Sequence, residues 1–331
     1  KQNLAWLGES DKIIKKPLWF PAKWVNERPR IWWDYYLPIR IWLDQIDVFH
    51  GPNHMLPKTN KAHCVVTIHD LAYFYMQVHG GAMDQYLQRI TIESMENAKK
   101  IIAVSQSTAD DCVDQGVFAN DVETIYQGFD SALVTKSLSD NKSDDFNEIK
   151  ELRPYCLFLG TIQPRKNIPT LVRAFSKIAD QISYNLVLAG APGSDQNEVD
   201  KIISSSGLKD RVFCLGYINE EKKIALYQFA DMFVYPSKYE GFGLVILEAM
   251  SFGVPVITGD NSSLPEAAGD AAILIDTSNE QELAKAIKAL ANDDELKESM
   301  VKKGYCQVEK FSWEMAAKET IKVYEEVGKG E

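Results

Sequence analysis

Short apolar runs alternate with longer amphipathic stretches along most of this chain. Val65-Val66-Thr67-Ile68 is β-branched and stops at His69-Asp70, the pattern of a strand running into a loop. Residues 100–104 repeat it and lead into a stretch where Ser107 and Asp110 mark a helix start. Residues 155–160, 185–190 and 211–216 are apolar runs closed by glycine, and residues 232–236 and 254–257 are runs of the same kind. Helix-period segments such as residues 171–178 lie between them. Continuous short strands alternating with amphipathic helices predict an α/β protein whose parallel sheets are covered on both faces. Ligands of such sheets sit in the loops at the carboxyl ends of the strands. The polar stretch 136–150 breaks the rhythm and reads as a linker between two unequal α/β units flanking a cleft.

Composition narrows the classes. The 331 residues are 45% hydrophobic and 25% charged, which excludes a mainly disordered or coiled-coil chain. A formal charge of −11 argues against nucleic acid as a partner, though a local basic pocket is compatible with it. The five cysteines (Cys64, Cys112, Cys156, Cys214, Cys306) are scattered without a C-x-x-C pair, so neither a disulfide framework nor a structural zinc site is expected. Cys64 and Cys214 read as small buried hydrophobes. No apolar stretch reaches membrane-spanning length, and the first residues do not read as a secretory leader. A cytoplasmic protein, working at the inner face of a membrane if it meets one, is the expectation.

Three stretches carry candidate chemistry. In residues 239–250, Glu240-Gly241-Phe242-Gly243-Leu244 follows a strand and opens a helix that also holds Glu248. Small residues there let a ligand approach the backbone, and free N–H groups near Gly243 and Leu244 form an anion site suited to phosphate. Carboxylates can accept from neighbouring hydroxyls of a ribose or hexose. Two glutamates at this spacing also arise by chance in an acidic chain; the glycines and the preceding strand favour the functional reading. In residues 160–167, Gly160-Thr161 leaves a strand, Arg165-Lys166 places two cations before a helix, and Asn167 reads as its N-cap. Such cations suit a diphosphate, or are simply a solvated pair. His69-Asp70 is either a sugar-hydroxyl donor in the cleft or a structural histidine beside a helix cap.

Together with residues 49–53, 67–71, 103–105 and 262–272, these stretches resemble glycosyltransferase family 4, closest to its branch that builds surface polysaccharides, from about Val48 to the C-terminus. The resemblance implies a GT-B fold, two Rossmann-like domains facing across a cleft. It also implies retaining transfer of a hexose from a nucleotide-diphosphate sugar to a glycan or lipid-linked glycan, with GDP-mannose ranked first. By that resemblance Glu240 contacts the donor sugar, Glu248 the ribose, Arg165 and Lys166 the diphosphate, and His69 lies beside the transferred sugar. Gly160, Thr161, Tyr217, Gly241, Phe242, Gly243 and Leu244 complete the donor side. His50, Gly51, Asn53, Asp70 and Ser105 fall on the acceptor side. The expected domains are residues 1–135, completed by a returning helix at 312–328, then a linker at 136–152 and a donor domain at 153–311. Residues 1–8 show no glycine-rich loop after a first strand, so the first domain reads as incomplete.

No Asp-x-Asp occurs, so no metal and no other cofactor is expected. No Gly-x-Gly-x-x-Gly follows a strand, which disfavours a nicotinamide enzyme. A nucleotide-sugar 2-epimerase of the same fold and a non-catalytic nucleotide-sugar binder are the rival functions. The aromatic-rich run from Trp19 to Trp42, with basic residues nearby, suits either core packing around the acceptor cleft or peripheral membrane contact.

Overall fold

The computed structural model describes residues 31–129 and 144–329. Of these, residues 31–47 with 57–62 fall in one compact unit, and the remainder in a second that contains both sheets. In the smaller unit a π-helical turn, Trp32–Tyr36, continues into helix α1, Leu37–Leu43. Only Ile41 of α1 is buried, whereas Tyr35, Ile39, Trp42 and Leu43 are exposed. Core packing therefore does not account for these aromatic and aliphatic side chains. Residues 1–30, with the rest of the aromatic run and the expected missing unit, lie outside the described residues.

The first sheet of the larger unit is parallel, in the order β1 (Val48–Gly51), β2 (His63–Ile68), β3 (Lys100–Ala103), β4 (Val122–Thr124). Alternation along β2 feeds two cores. Cys64, Val66 and Ile68 pack with Ile101 and Cys112, while Val65 packs with Ile102, Ile125, Val323 and Val327. Helices α2 (Ala72–Tyr75) and α3 (Gly81–Asn97) follow β2, and α4 (Gln106–Asp114) follows β3. Ser105, not Ser107, caps α4, accepting from Thr108 N. It is fully buried, and its hydroxyl serves the helix start.

Part of the expected linker is helical: α5 spans Asp144–Glu151 and buries Ile149 completely, while residues 136–143 lie outside the described residues. The second sheet is also parallel, in the order β10 (Ala272–Ile275), β9 (Val256–Gly259), β8 (Met232–Tyr235), β5 (Tyr155–Leu159), β6 (Asn185–Ala189), β7 (Val212–Gly216). The helices between its strands are α6 (Ile168–Ser176), α7 (Gln196–Ser205), α8 (Glu220–Phe229), α9 (Leu244–Ser251) and α10 (Leu264–Ala268), with α11 (Glu280–Asn292) and α12 (Asp294–Val308) after β10. The last helix, α13 (Trp313–Gly328), returns to the first sheet, where Val323 and Val327 cover Val65 and Ile102. Cys64, Cys112 and Cys156 are buried as hydrophobes; Cys214, expected to be, is exposed.

Candidate active site

The order of the second sheet defines where its ligand site lies. From β5 the chain moves outward to β6 and β7, then crosses back to β8 on the other side of β5. The loops after β5 and β8 therefore diverge and leave a crevice at the carboxyl ends of the two strands. Arg165 and Lys166 come from the first loop and Glu240 from the second.

These three side chains meet. Glu240 Oε1 accepts from Lys166 Nζ at 2.6 Å, Ser237 Oγ at 2.5 Å and Tyr235 OH at 3.0 Å. Its Oε2 accepts from Arg165 Nη1 at 2.7 Å, and the same Nη1 reaches Tyr239 O at 3.0 Å. Lys166 also donates to Tyr235 OH. Glu240 and Lys166 are each 8% exposed, so the cluster sits in a poorly solvated environment where charge is felt strongly. Burial alone would raise the Glu240 carboxyl, but Lys166 and Arg165 outweigh it and hold its pKa below the ordinary carboxylate value. Burial lowers the Lys166 ammonium; Glu240 offsets part of this and Arg165 adds to it. Arg165 keeps a buried Nε with no acceptor among the described residues.

The loop after β8 is fixed from several sides. Glu240 N donates to Ser262 Oγ at 3.0 Å, and Ser263 Oγ donates to Glu240 O at 2.8 Å. Gly243 adopts φ 104°, a left-handed conformation that favours glycine, and no side chain caps the first turn of α9. The amide end of α9 thus remains available to an anion. Gly241 is required for a different reason. A Cβ there would lie 1.7 Å from His69 O, because the two lobes touch backbone to backbone. Around that contact, Thr108 Oγ1 donates to Gly241 O at 3.2 Å, and Tyr239 OH accepts from Leu71 N at 3.2 Å while donating to Asp111.

Several expected residues hold other positions. Both ring nitrogens of His69 are engaged: Nε2 donates to Pro52 O at 2.9 Å, which leaves Nδ1 to accept from Gln127 Nε2 at 3.0 Å. With both nitrogens engaged, the ring shapes the loop, and donation to a sugar hydroxyl requires it to give up the bond to Pro52 O. His50 is likewise occupied, by Tyr324 OH at 2.5 Å and Thr67 Oγ1 at 2.8 Å. Phe242 is buried, stacked on Tyr126 and edge-on to Phe311, so only its backbone can meet a ligand. Glu248 is held by Lys223 Nζ at 3.0 Å and Tyr227 OH at 3.0 Å, apart from the Glu240 cluster. Tyr217, just beyond β7, is 83% exposed. Gly51 is buried at the end of β1; Gly160 and Thr161 follow β5, Thr161 exposed. Asn167 occupies the N-cap position of α6, as expected, but at φ 59° its side chain makes no capping bond and its amide donates to Thr277 O at 2.7 Å instead. Asp70 Oδ1 caps α2 through Ala72 N at 3.0 Å, and Asp70, Asn53 and Arg165 line one cavity.

Sequence reasoning missed Tyr235 and Ser237, which complete the Glu240 shell. A tyrosine inside an apolar strand reads as core, and the only available signal was its position at a strand's carboxyl end. It also missed His54, whose Nε2 accepts from His69 N at 3.3 Å and whose Nδ1 meets Tyr73 OH at 3.1 Å. Burial, and then the charge of His69, depress the His50 pKa to about 4; burial depresses that of His54 to about 4 as well, against a partial pull upward from Asp70.

Two parallel sheets with a cation–carboxylate cluster at the second sheet's switch point define a GT-B glycosyltransferase. The sequence comparisons agree: residues 139–307 match the family described as glycosyl transferases group 1, and residues 8–133 match glycosyltransferase family 4. The chain belongs to this glycosyltransferase family. It is 32% identical over 281 residues to O-antigen chain mannosyltransferase B of Escherichia coli, covering 84% of this chain and 74% of that protein. O-antigen chain mannosyltransferase RfbU of Salmonella typhimurium is 27% identical over 271 residues, covering 79% of this chain and 70% of its own. The fold matches sucrose-phosphate synthase from Thermosynechococcus elongatus with a TM-score of 0.73 at 22% identity, over 95% of this chain and 81% of that one. It also matches Anabaena HepE in complex with UDP and glucose, with a TM-score of 0.66 at 21% identity, over 80% and 72%.

Proposed function

We propose that this enzyme transfers mannose from GDP-mannose, with retention and without a metal ion, to a hydroxyl of a glycan or lipid-linked glycan in surface-polysaccharide synthesis. The supporting observation is the Arg165–Lys166–Glu240 cluster at the switch point, two cations beside an uncapped helix start. The mannosyl and O-antigen parts draw on the names of the relatives given above.

The cluster accounts for leaving-group stabilisation. As the bond from the anomeric carbon to the phosphate oxygen breaks, negative charge grows on the diphosphate. Arg165, Lys166 and the α9 amides lie ready to meet that charge without reorganising solvent. The acceptor oxygen bonds to the anomeric carbon on the same face, and its proton passes to the departing phosphate oxygen. Glu240 orients the sugar rather than bonding covalently to it. Its Oε1 already has three donors, so a sugar hydroxyl must use Oε2, which Arg165 occupies. An arriving diphosphate would draw Arg165 away, give its orphaned Nε an acceptor, and release Oε2.

Among the described residues no helix is long and apolar enough to cross a membrane. We place the reaction in the cytoplasm, with exposed Trp42 and Leu43 as the contact to a membrane surface. Flotation with anionic vesicles tests that contact: co-flotation lost on W42S supports it, and no co-flotation at low salt refutes it.

The donor is tested by thermal shift with GDP, UDP, dTDP and ADP, followed by product analysis. GDP should stabilise most, by about 2.7 kcal/mol at 100 times its dissociation constant. GDP-mannose with an acceptor should give an α-linked product in the presence of EDTA. A unique response to another base overturns the donor, loss of activity in EDTA the metal independence, and a β-linked product the retention. An epimer formed from donor alone would favour the epimerase.

A further inference from the structure

Tyr239 and Gly241 flank Glu240 in the loop after β8, and both are gripped by a helix of the other lobe. Thr108 and Asp111, three residues apart on α4, share one face of that helix. Thr108 Oγ1 donates to Gly241 O at 3.2 Å, and Asp111 Oδ2 accepts from Tyr239 OH. The Tyr239 hydroxyl in turn accepts from Leu71 N at 3.2 Å, in the loop after β2. Its ring stacks on that of Tyr75, with centroids 5.8 Å apart. A single hydroxyl therefore ties the residue before Glu240 to the residue after Asp70.

The direction of that hydroxyl is the critical point. A phenol has one proton and can aim it at any neighbouring acceptor. An ionised carboxylate only accepts, so Asp111 takes the proton and leaves the oxygen lone pairs facing Leu71 N. Burial raises the Asp111 pKa, and the hydroxyls of Tyr239 and Tyr75 draw it back toward the ionised form. With no acceptor at position 111 the hydroxyl can turn, and the amide of fully buried Leu71 loses a defined partner. The same two loops meet at Gly241 and His69 O, where a Cβ on the glycine would lie 1.7 Å from the carbonyl. Their spacing therefore tolerates little adjustment once the hydroxyl bridge is lost.

From this we infer that Asp111 is a positioning residue for the transfer: by aiming the Tyr239 hydroxyl, it fixes the loop that carries Glu240 against the loop that carries His69 and Asp70. Asp111 stands outside the Arg165–Lys166–Glu240 cluster and acts through Tyr239. The inference rests on the transferase reading above and adds to it a residue of the first lobe that sets the geometry of the second lobe's glutamate.

Four variants of the full chain test it: D111L, D111N, Y239F and the D111L/Y239F double variant. Each is measured for GDP affinity and for GDP release from GDP-mannose with methyl α-mannoside as acceptor. D111L and Y239F should each lower kcat by about tenfold to a hundredfold, the scale of a small misplacement at a reacting centre, with GDP affinity within about twofold of wild type. D111N keeps an acceptor oxygen and should recover most of the lost rate. The double variant should lose no more than either single one, because the two side chains act as a unit. A merely structural residue would lower the melting temperature and leave kcat unchanged at temperatures where the variant is folded, and that result overturns the inference. So does a loss of GDP affinity equal to the loss of kcat, a D111N as slow as D111L, or single losses that multiply in the double variant. Should D111L fail to fold, Y239F decides, with a wild-type kcat overturning the inference. A wild type that releases no GDP refutes the mannosyl-donor reading and takes the inference with it, a failure visible before any variant is compared.

Discussion

At the residue scale, Glu240 is held by four donors from two stretches of the chain: Arg165 and Lys166, and Tyr235 and Ser237. The adjacent cations and the glycine-flanked glutamate were legible in the sequence because charge next to a strand end is unusual. That they pair with one another was not, because the pairing depends on β5 and β8 being neighbours. His69 shows the opposite limit: its position was readable, but the engagement of both nitrogens by Pro52 and Gln127 was not. Gly241 is fixed by a contact rather than a turn, so G241A should push His69 and the β8 loop apart. Overpacking of this kind typically costs about 1–3 kcal/mol. A denaturant midpoint equal to wild type would contradict the close approach. The histidines set the acid limit. Folded His50 and His54 stay neutral to about pH 4, while in the unfolded chain they protonate below about 6.5. Their contribution is therefore complete above pH 6.5 and lost as the pH falls toward 4, on the order of 3 kcal/mol for His54. Glu240, with its depressed pKa, extends the loss to lower pH in the same direction. The first melting transition should fall over that window, and H54N should flatten the fall; a wild-type melting temperature constant from pH 6.5 to 4.5 would refute it.

Among the elements, the strands read most directly were long apolar runs such as Tyr155–Leu159 and Asn185–Ala189, which are buried on both faces. Strands β1, β4 and β10 escaped, although β1 and β10 are as long as β3, β8 and β9; β4 is three residues with a glutamate in the middle. Helix starts were legible only to within a residue or two. Ser107 and Asn167 are both reasonable caps by type, yet Ser105 makes the bond at α4 and Asn167 is diverted to Thr277. The start of α4 carries a second support that sequence spacing could not reveal. Glu266, from α10, accepts from Gln106 N at 2.6 Å and Ser107 N at 2.8 Å, placing a carboxylate of one lobe at the positive end of a helix in the other. E266Q retains an acceptor for only one of the two amides, and should cost about 1–2 kcal/mol and speed amide exchange at Gln106 and Ser107. Exchange unaltered at those two amides would show that the contact between α10 and α4 carries no load in solution.

For the whole molecule, two parallel sheets turn the carboxyl ends of their strands toward one another, and α13 crosses from the end of the second lobe to cover the first sheet. The alternation of strand and helix made this class of architecture readable from 331 residues. The strand order of the second sheet, which creates the crevice, is a tertiary choice that local pattern does not encode. In the proposed mechanism the crevice holds the protein cations where a diphosphate leaves, so turnover should depend on them more than folding does. The most direct measurement is the rate of GDP release from GDP-mannose by R165A, a variant in which Lys166, Tyr235 and Ser237 still hold Glu240. A fall of about 10²–10³ with the fold retained is the predicted result. A rate within about threefold of wild type, small against that expected loss, would contradict it.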